Sequence, residues 1–340
     1  MSDKIKFAIV GAGHIGKRHA ELVSRNDSCV LVALCDIKPA EELNIENYTV
    51  PFYQNLKELL DKEDFDVLCV ATPNGLHAEQ CLLGLDYNKH IIVEKPMALN
   101  KANCERIIYR AMQASKHIFC VMQNRYSPPS QWIKGLLQER KLGEIFMVQI
   151  NCYWNRDERY YKSDGWKGKR DLDGGTLFTQ FSHFIDIMYW LFGDIKDIQS
   201  KFNNFNHPNS IDFEDSGFIS FNFEDGGMGS INYSTSIWKN NFESSLTVIG
   251  EKGTIKIGGQ YMNEVEVCNI EDYEMPKLAP ANPANNYGTY KGSAANHNYI
   301  FENVVEALKE GKPATTNALE GMKVVDIIER IYDQNPYREK

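Results

Sequence analysis

Gly11-Ala12-Gly13-His14-Ile15-Gly16 has the spacing G-x-G-x-x-G. It stands between an apolar run, Lys6–Val10, and a stretch with helical spacing from Gly16 to Ser24. In that setting the glycines permit a tight turn, close approach of the backbone to a pyrophosphate, and close helix packing. The helix N-terminus adds unpaired N–H groups and the positive end of its dipole. This is the chemistry of dinucleotide binding, with Gly11, Gly13, His14, Ile15 and Gly16 as the cradle. Asp36 closes the next apolar run, 20 residues after Gly16. A carboxylate there accepts hydrogen bonds from the adenosine ribose and repels a 2′-phosphate, which favours NAD over NADP. The plainer alternative is a solvated aspartate at a strand end. Lys38, two residues on, softens the preference.

Two further polar segments follow apolar runs: Ala71-Thr72-Pro73-Asn74 with His77, and Glu94-Lys95-Pro96. Open α/β sheets bind ligands beyond the carboxyl ends of their strands. Thr72, Pro73, Asn74, His77, Glu94 and Lys95 therefore join the cofactor-binding candidates. A lysine at the end of the run His90–Val93 points into the nicotinamide crevice; otherwise it is a surface lysine after a strand. His183 sits among Phe181, Phe184 and Ile185, where a lone histidine is by itself a satisfied core residue. From Tyr153 to Arg170, aromatics (Tyr153, Trp154, Tyr160, Tyr161, Trp166) alternate with bases (Arg156, Arg159, Lys162, Lys167, Lys169, Arg170). Two readings stand side by side. Bases suit a diphosphate and aromatics a uracil or sugar face; or the stretch is a solvated loop whose aromatics enter the core or a subunit contact.

The elements that must hold these residues change rhythm part-way along the chain. Up to Met122, short apolar runs (Lys6–Val10, Val30–Cys35, Asp66–Ala71, His90–Val93, His117–Met122) alternate with helical patterns (Gly16–Ser24, Leu56–Lys62, His77–Leu85, Lys101–Ser115). That order implies βαβ units and a doubly wound parallel sheet, an α/β Rossmann domain over residues 1–122. The runs are continuously apolar, as strands covered on both faces must be. Residues 123–340 read as an α+β domain with a mostly antiparallel sheet. A helix (Ser130–Glu139) leads to a strand (Ile145–Trp154), and one long helix is expected from Thr176 to Phe192. Strand follows strand from Ile195 to Val267, and two helices, Asn298–Glu310 and Leu319–Tyr332, close the chain. Only Glu274–Gly292 has the composition of a disordered segment.

Composition excludes some functions. The 37 basic and 46 acidic residues leave a net charge of -9, which argues against nucleic acid or an anionic membrane as partner. No apolar run reaches the roughly 18 residues of a membrane span, and Ile5–Val10 is too short for a signal peptide. The eight cysteines form no C-x-x-C pair and read as buried free thiols of a reducing cytosol. A cytoplasmic protein without a bound metal is expected.

The motifs together resemble the Gfo/Idh/MocA oxidoreductases. The family pattern is G-x-G-x-x-G, A-T-P-N/H and E-K-P, then a glycine pair, an H-x-x-D helix and a W-L-x-G ending. Here these stand as Gly11–Gly16, Ala71–Asn74, Glu94–Pro96, Gly174-Gly175, His183 to Asp186 and Trp190-Leu191-Phe192-Gly193. The resemblance implies an NAD(P)-dependent enzyme in which Lys95 and His183 are catalytic and flank the carbon that exchanges hydride. A neutral imidazole with pKa about 6.5 would take the hydroxyl proton, and an ammonium would stabilise the developing alkoxide. Asp186 anchors structure. One departure matters: sugar and inositol dehydrogenases of the family usually have aspartate four residues before the histidine, where this chain has Thr179.

Tyr153–Arg156, Tyr160-Tyr161, Trp166–Gly168, Asp173–Gly175 and Gln180 are similar to the family's nucleotide-sugar branch, whose type is UDP-N-acetyl-2-amino-2-deoxyglucuronate 3-dehydrogenase. That likeness implies a substrate set of Lys95, Gln123, Arg156, Arg159, Tyr160, Trp166, Thr179, Gln180 and His183. It also implies oxidation at sugar C3 for lipopolysaccharide biosynthesis, 2-oxoglutarate as the reoxidant of NADH, and a homo-oligomer (dimer or tetramer). The competing readings are a dehydrogenase of a free sugar or inositol, and a catalytically inactive NAD-binding sensor.

Overall fold

The computed structural model describes residues 4–288 and 290–335. The chain divides into two compact units, one of residues 1–122 and 297–325, the other of residues 123–296 and 326–340.

The first unit is built as β1 (Ile5–Val10), α1 (His14–Arg25), β2 (Cys29–Cys35), β3 (Phe52–Tyr53), α2 (Leu56–Lys62), β4 (Val67–Val70), α3 (His77–Asp86), β5 (His90–Val93), α4 (Lys101–Ala114) and β6 (Ile118–Cys120). Its sheet has the order β3-β2-β1-β4-β5-β6, and every pairing is parallel. Phe7, Ile9, Leu68, Ile91 and Phe119 are fully buried, as expected where helices cover both faces of a parallel sheet. The strand order reverses between β1 and β4, and the carboxyl ends there form the crevice in which such sheets bind dinucleotides. Helix starts follow local chemistry: the Asn55 side chain accepts from the Lys57 and Glu58 N–H groups, and Asn100 caps α4 through Asn103 N.

The second unit continues with α5 (Pro128–Gln138), β7 (Ile145–Tyr153), α6 (Arg170–Asp173), α7 (Thr176–Thr179), α8 (Ser182–Phe192), β8 (Ile195–Asn203), β9 (Ser216–Phe223), β10 (Met228–Ser234), β11 (Glu243–Gly250), β12 (Gly253–Gly258), β13 (Glu264–Ile270), β14 (Ala284–Asn286) and β15 (Lys291–Ala294). Its large sheet has the order β13-β12-β11-β7-β10-β9-β8. All its pairings are antiparallel except β7 with β10. In β9, residues Gly217, Ile219, Phe221 and Phe223 point inward while Phe218, Ser220 and Asn222 point out, the period-2 alternation of a sheet covered on one face.

Three expectations are corrected. The closing helices, α9 (His297–Glu310) and α10 (Ala318–Tyr332), do not both belong to a domain of residues 123–340. Residues 297–325 pack with the first unit. Thr316 ties that segment to β6: its carbonyl accepts from Cys120 N at 2.8 Å and its hydroxyl donates to Cys120 O at 2.6 Å. Periodicity reports that a helix has an apolar face, not which sheet it covers. The single helix expected from Thr176 to Phe192 is broken at Gln180-Phe181. Thr179 is drawn to Asp173 and Gln180 to Tyr160, and Phe181 N reaches back to Thr176 O. Within Glu274–Gly292, β14 pairs with β15, Asn285 is buried, and Tyr290 packs on the cluster of Tyr160, Tyr161, Ile211 and Phe213. Those contacts hold residues 284–286 and Tyr290 from outside their own stretch of sequence.

Candidate functional site

Gly11 lies at φ +90°, and a Cβ on it would meet the Ala71 carbonyl oxygen at 2.5 Å. A Cβ on Gly16 would meet the Gly11 carbonyl at 1.7 Å, so α1 rests directly on the turn. Gly13 faces open space and caps α1 without a side chain. His14 and Ile15 open the helix behind it. The Asp36 carboxylate, half-exposed at the end of β2, holds the loop: it accepts from Ala12 N at 2.7 Å and from Lys38 N at 3.0 Å. An open glycine face, a helix N-terminus with no competing side-chain cap and a carboxylate beside them fit a dinucleotide.

The next strand ends are tied to one another. His77 is fully buried, with Nδ1 at 2.7 Å from the Pro96 carbonyl and Nε2 at 2.9 Å from that of Thr72. Burial holds its pKa below the ordinary value against the pull of those two carbonyls. His77 thus clamps the Thr72-Pro73-Asn74 segment to the turn after Lys95, and Thr72 donates its hydroxyl to Gln80 at 2.6 Å. Glu94 is buried; its Oε1 stands 3.0 Å from His19 Nε2, and its Oε2 is 3.4 Å from Lys95 N.

In the second unit, His183 lies on the first turn of α8 and is 5% exposed. The Gln123 amide nitrogen stands 3.4 Å from His183 Nε2. The imidazole tautomer sets the roles in that contact, and His183 Nδ1 is buried with no hydrogen-bond partner. Gln180 donates to the Tyr160 hydroxyl at 3.0 Å. That bond fixes its amide, and the oxygens of Gln180 and Gln123 are buried with no protein partner. Asp186 is not part of this face. Arg125 grips it through Nε (2.9 and 3.1 Å) and Nη2 (2.5 Å), with the guanidinium over the Trp190 ring. Both members are buried, so the pair anchors α8 to the segment after Gln123.

Residues 5–122 match the Gfo/Idh/MocA oxidoreductase family's NAD-binding Rossmann fold, and residues 134–336 match that family's C-terminal alpha/beta domain. The chain belongs to the Gfo/Idh/MocA oxidoreductases. It is an NAD-dependent oxidoreductase, and its first unit is the NAD-binding domain. Bound NAD supplies the hydride acceptor; Gly11–Gly16 and Asp36 are the residues fitted to hold it. Among solved structures it is similar to the WlbA dehydrogenase from Bordetella pertussis in complex with NADH and UDP-GlcNAcA. The identity is 29%, with 97% of this chain and 96% of that one covered at a TM-score of 0.86. The WlbA dehydrogenase from Chromobacterium violaceum, also in complex with NADH and UDP-GlcNAcA, is 28% identical, with 97% and 93% covered at a TM-score of 0.87. An inositol 2-dehydrogenase of Salmonella paratyphi B is 26% identical over 204 residues, 58% of each chain.

In the basic-aromatic loop of this Gfo/Idh/MocA member, Arg156 goes inward with the aromatics rather than outward as a diphosphate base. Arg156 is 3% exposed. Its guanidinium donates to the carbonyls of Asn155 and Lys291 and to Asn241 Oδ1, and lies 4.7–5.1 Å from the ring centroids of Trp154, Tyr160 and Tyr290. A solvent-facing fork for phosphate is therefore not what Arg156 offers: its Nη1 and Nη2 groups serve the Asn155 and Lys291 carbonyls and Asn241, which itself donates to the Lys291 carbonyl at 3.2 Å. Arg159 is exposed, but Asp157 grips it through two oxygens. Thr179, expected to meet substrate, donates its hydroxyl to the Asp173 carbonyl and carboxylate. Burial pushes Asp173 up to about 6, against hydrogen bonds from Thr179 and from the Gly168 and Gly175 N–H groups. Tyr160 and Trp166 sit in the loop, the first buried and the second half-buried.

Sequence reasoning missed Tyr290 and Arg125, and named Lys167 only as one of the loop's bases, not as a partner of Tyr290. The Lys167 ammonium lies 3.8 Å from the Tyr160 ring centroid and donates to the Tyr290 hydroxyl at 2.8 Å. No spacing rule links residues 123 positions apart. Arg125, directly after the Gln123-Asn124 pair, carried a usable signal: a lone arginine following an apolar strand needs a carboxylate partner if buried.

Proposed function

We propose that the chain oxidises the C3 hydroxyl of a UDP-linked N-acetylated sugar acid, with Lys95 and His183 as the proton-handling pair. The observation that carries this reading is the likeness over 96% and 93% of two dehydrogenases in complex with NADH and UDP-GlcNAcA. His183, as a neutral imidazole, takes the hydroxyl proton as hydride leaves carbon. Lys95, as ammonium, donates to the same oxygen and offsets its charge. The unpartnered amide oxygens of Gln123 and Gln180 accept from sugar hydroxyl or acetamido N–H groups. With Arg156 internal, the exposed bases Lys162 and Lys169, with Arg159, serve the diphosphate. The product ketone suits a later aminotransfer in lipopolysaccharide sugar biosynthesis, and 2-oxoglutarate reoxidises NADH. The cytoplasm is the compartment, where nucleotide sugars and reduced thiols occur together. The outward face of the large sheet carries Met147 between Met228 and Ile249 in register, all exposed, which supports self-association as a dimer or tetramer.

The test is direct. UDP-N-acetylglucosaminuronic acid should reduce bound NAD, seen as absorbance at the nicotinamide band, and UDP at millimolar concentration should raise the melting temperature. Glucose and myo-inositol should do neither. Reduction of NAD by myo-inositol, with no response to the UDP-sugar, would replace this reading with that of the inositol dehydrogenases.

A further inference from the structure

The second unit holds a buried carboxylate that the proposed reaction does not use. Glu214 stands two residues before β9 and is fully buried. Tyr332 donates its hydroxyl to Glu214 Oε1 at 2.6 Å, and Tyr233 donates to the same oxygen at 2.8 Å. Asn335 Nδ2 reaches Glu214 Oε2 at 2.8 Å. All three donors belong to buried residues. Burial pushes the carboxyl up to about 7, and the hydrogen bonds of Tyr332 and Tyr233 lead the pull the other way. A buried carboxylate is costly unless it is hydrogen-bonded. A satisfied network of this kind fixes one arrangement of the side chains that share it.

What this network fixes is the start of α7. The Tyr332 hydroxyl also accepts from Leu177 N at 2.8 Å. Leu177 lies in the first turn of α7, where N–H groups have no partner within the helix. A backbone N–H can only donate, so the Tyr332 oxygen accepts there and its single hydrogen goes to Glu214. Thr176, one residue earlier, donates its hydroxyl to the Glu214 carbonyl at 2.7 Å. Glu214 thus holds two successive residues of α7, Thr176 by its own backbone and Leu177 through Tyr332. Gly175, just before α7, lies at φ +132°, and a Cβ on it would meet the Tyr332 hydroxyl oxygen at 2.6 Å. The second member of the glycine pair therefore leaves the room in which the tyrosine hydroxyl docks.

The residues after Thr176 hang on it. Gln180 N and Phe181 N both donate to the Thr176 carbonyl, at 3.0 and 3.2 Å. The Phe181 carbonyl in turn accepts from Phe184 N at 2.9 Å, in the first turn of α8 beside His183. A continuous line of hydrogen bonds therefore runs from Glu214 through Thr176 to the backbone of Gln180. We propose that Glu214 and Tyr332 are positioning residues for the substrate: they clamp Thr176 and Leu177, and so set where Gln180 presents its amide. This rests on the reading of Gln180 as a substrate residue, but the clamp can be tested apart from turnover.

In the full-length protein, at a pH well above the carboxyl's value of about 7, hydrogen exchange of single amides is followed by fragmentation mass spectrometry. Initial rates with UDP-N-acetylglucosaminuronic acid are measured beside it. Tyr332→Phe removes the acceptor of Leu177 N. Exchange at Leu177, Gln180 and Phe181 should quicken about tenfold, as a local opening becomes easier. KM for the UDP-sugar should rise about fivefold, the scale of one hydrogen bond, with kcat within about twofold of wild type. Glu214→Leu should do the same, and Glu214→Gln, which keeps an oxygen for the two hydroxyls, should lie near wild type. Asn335→Ala breaks only the bond to Oε2 and controls for lost stability: its melting temperature should fall while KM and exchange at Leu177, Gln180 and Phe181 stay as they were. Wild-type exchange and KM in Tyr332→Phe would overturn the proposal, and so would a KM in Asn335→Ala raised as far as in Tyr332→Phe. Should Glu214→Leu not fold, Tyr332→Phe decides. If the wild-type protein does not turn over the UDP-sugar, the substrate reading fails by itself, and exchange at Gln180 and Phe181 still decides the clamp.

Discussion

The glycine loop of the first unit and the basic-aromatic loop of the second both looked like binding elements in the sequence, and the structure treats them differently. Around Gly11–Gly16 the functional groups are backbone N–H groups, and the side chains serve them: Asp36 holds Ala12 N and Lys38 N, and Gly13 leaves its face open. Between Asn155 and Asp173 the functional groups were expected to be side chains, and the most conspicuous of them face inward. Arg156 satisfies two carbonyls and three rings, and just beyond that stretch Thr179 satisfies Asp173. A site made of backbone can be read from spacing, because the spacing is the geometry. A site made of loop side chains cannot, because an arginine's type does not say whether it will meet a ligand or close its own loop.

The largest expected effect tests whether residues of the two units serve one reaction. Lys95→Met and His183→Asn should each lower turnover roughly a hundredfold or more, the contribution of a positioned acid or base. NAD binding, followed by fluorescence of bound NADH, should change little. Normal turnover in His183→Asn would return that residue to the core-histidine reading that its neighbours Phe181, Phe184 and Ile185 invite.

A smaller effect separates the internal arginine from the external one. Arg156→Ala removes three hydrogen bonds and a cation from between three rings, and should cost about 2–4 kcal/mol. For a unit of this size that is a fall in melting temperature of about 5–10 °C, seen with or without UDP. Arg159→Ala should leave the melting temperature where it was and weaken only the response to UDP. If the two variants behave alike in calorimetry, the loop holds no division between loop-closing and ligand-facing bases.

How much was legible follows the same division. The parallel sheet, its helices and the turns at Gly11, Thr72 and Glu94 were readable because continuous apolar runs and strand-end polar residues follow from burial on both faces. The antiparallel sheet was readable from its alternation. Three things were not. The pairing of Cys120 with Thr316, which takes residues 297–325 to the first unit, has no local signature. The break at Gln180-Phe181 depends on Asp173 and Tyr160, which are tertiary partners. The order of Tyr290 comes from Lys167, Arg156 and Tyr160 rather than from its own polar neighbours.

The smallest effect sharpens the comparison within the nucleotide cradle itself. Asp36 has two duties: its oxygens hold two backbone N–H groups, and its charge disfavours a 2′-phosphate. Asp36→Ala removes both, so it should weaken NAD binding about tenfold, roughly 1.4 kcal/mol, through a loosened Ala12 turn. Asp36→Asn removes the charge but keeps one carbonyl oxygen able to accept from Ala12 N. It should hold NAD within about threefold of wild type, or less than roughly 0.7 kcal/mol, while NADP binds more tightly than before. Calorimetry with both cofactors on both variants distinguishes the duties. If Asp36→Asn loses NAD as badly as Asp36→Ala and gains nothing for NADP, then the carboxylate acts only as a brace for the loop. The cofactor preference would then have to come from elsewhere in the cradle, with Lys38 the nearest charged residue to examine.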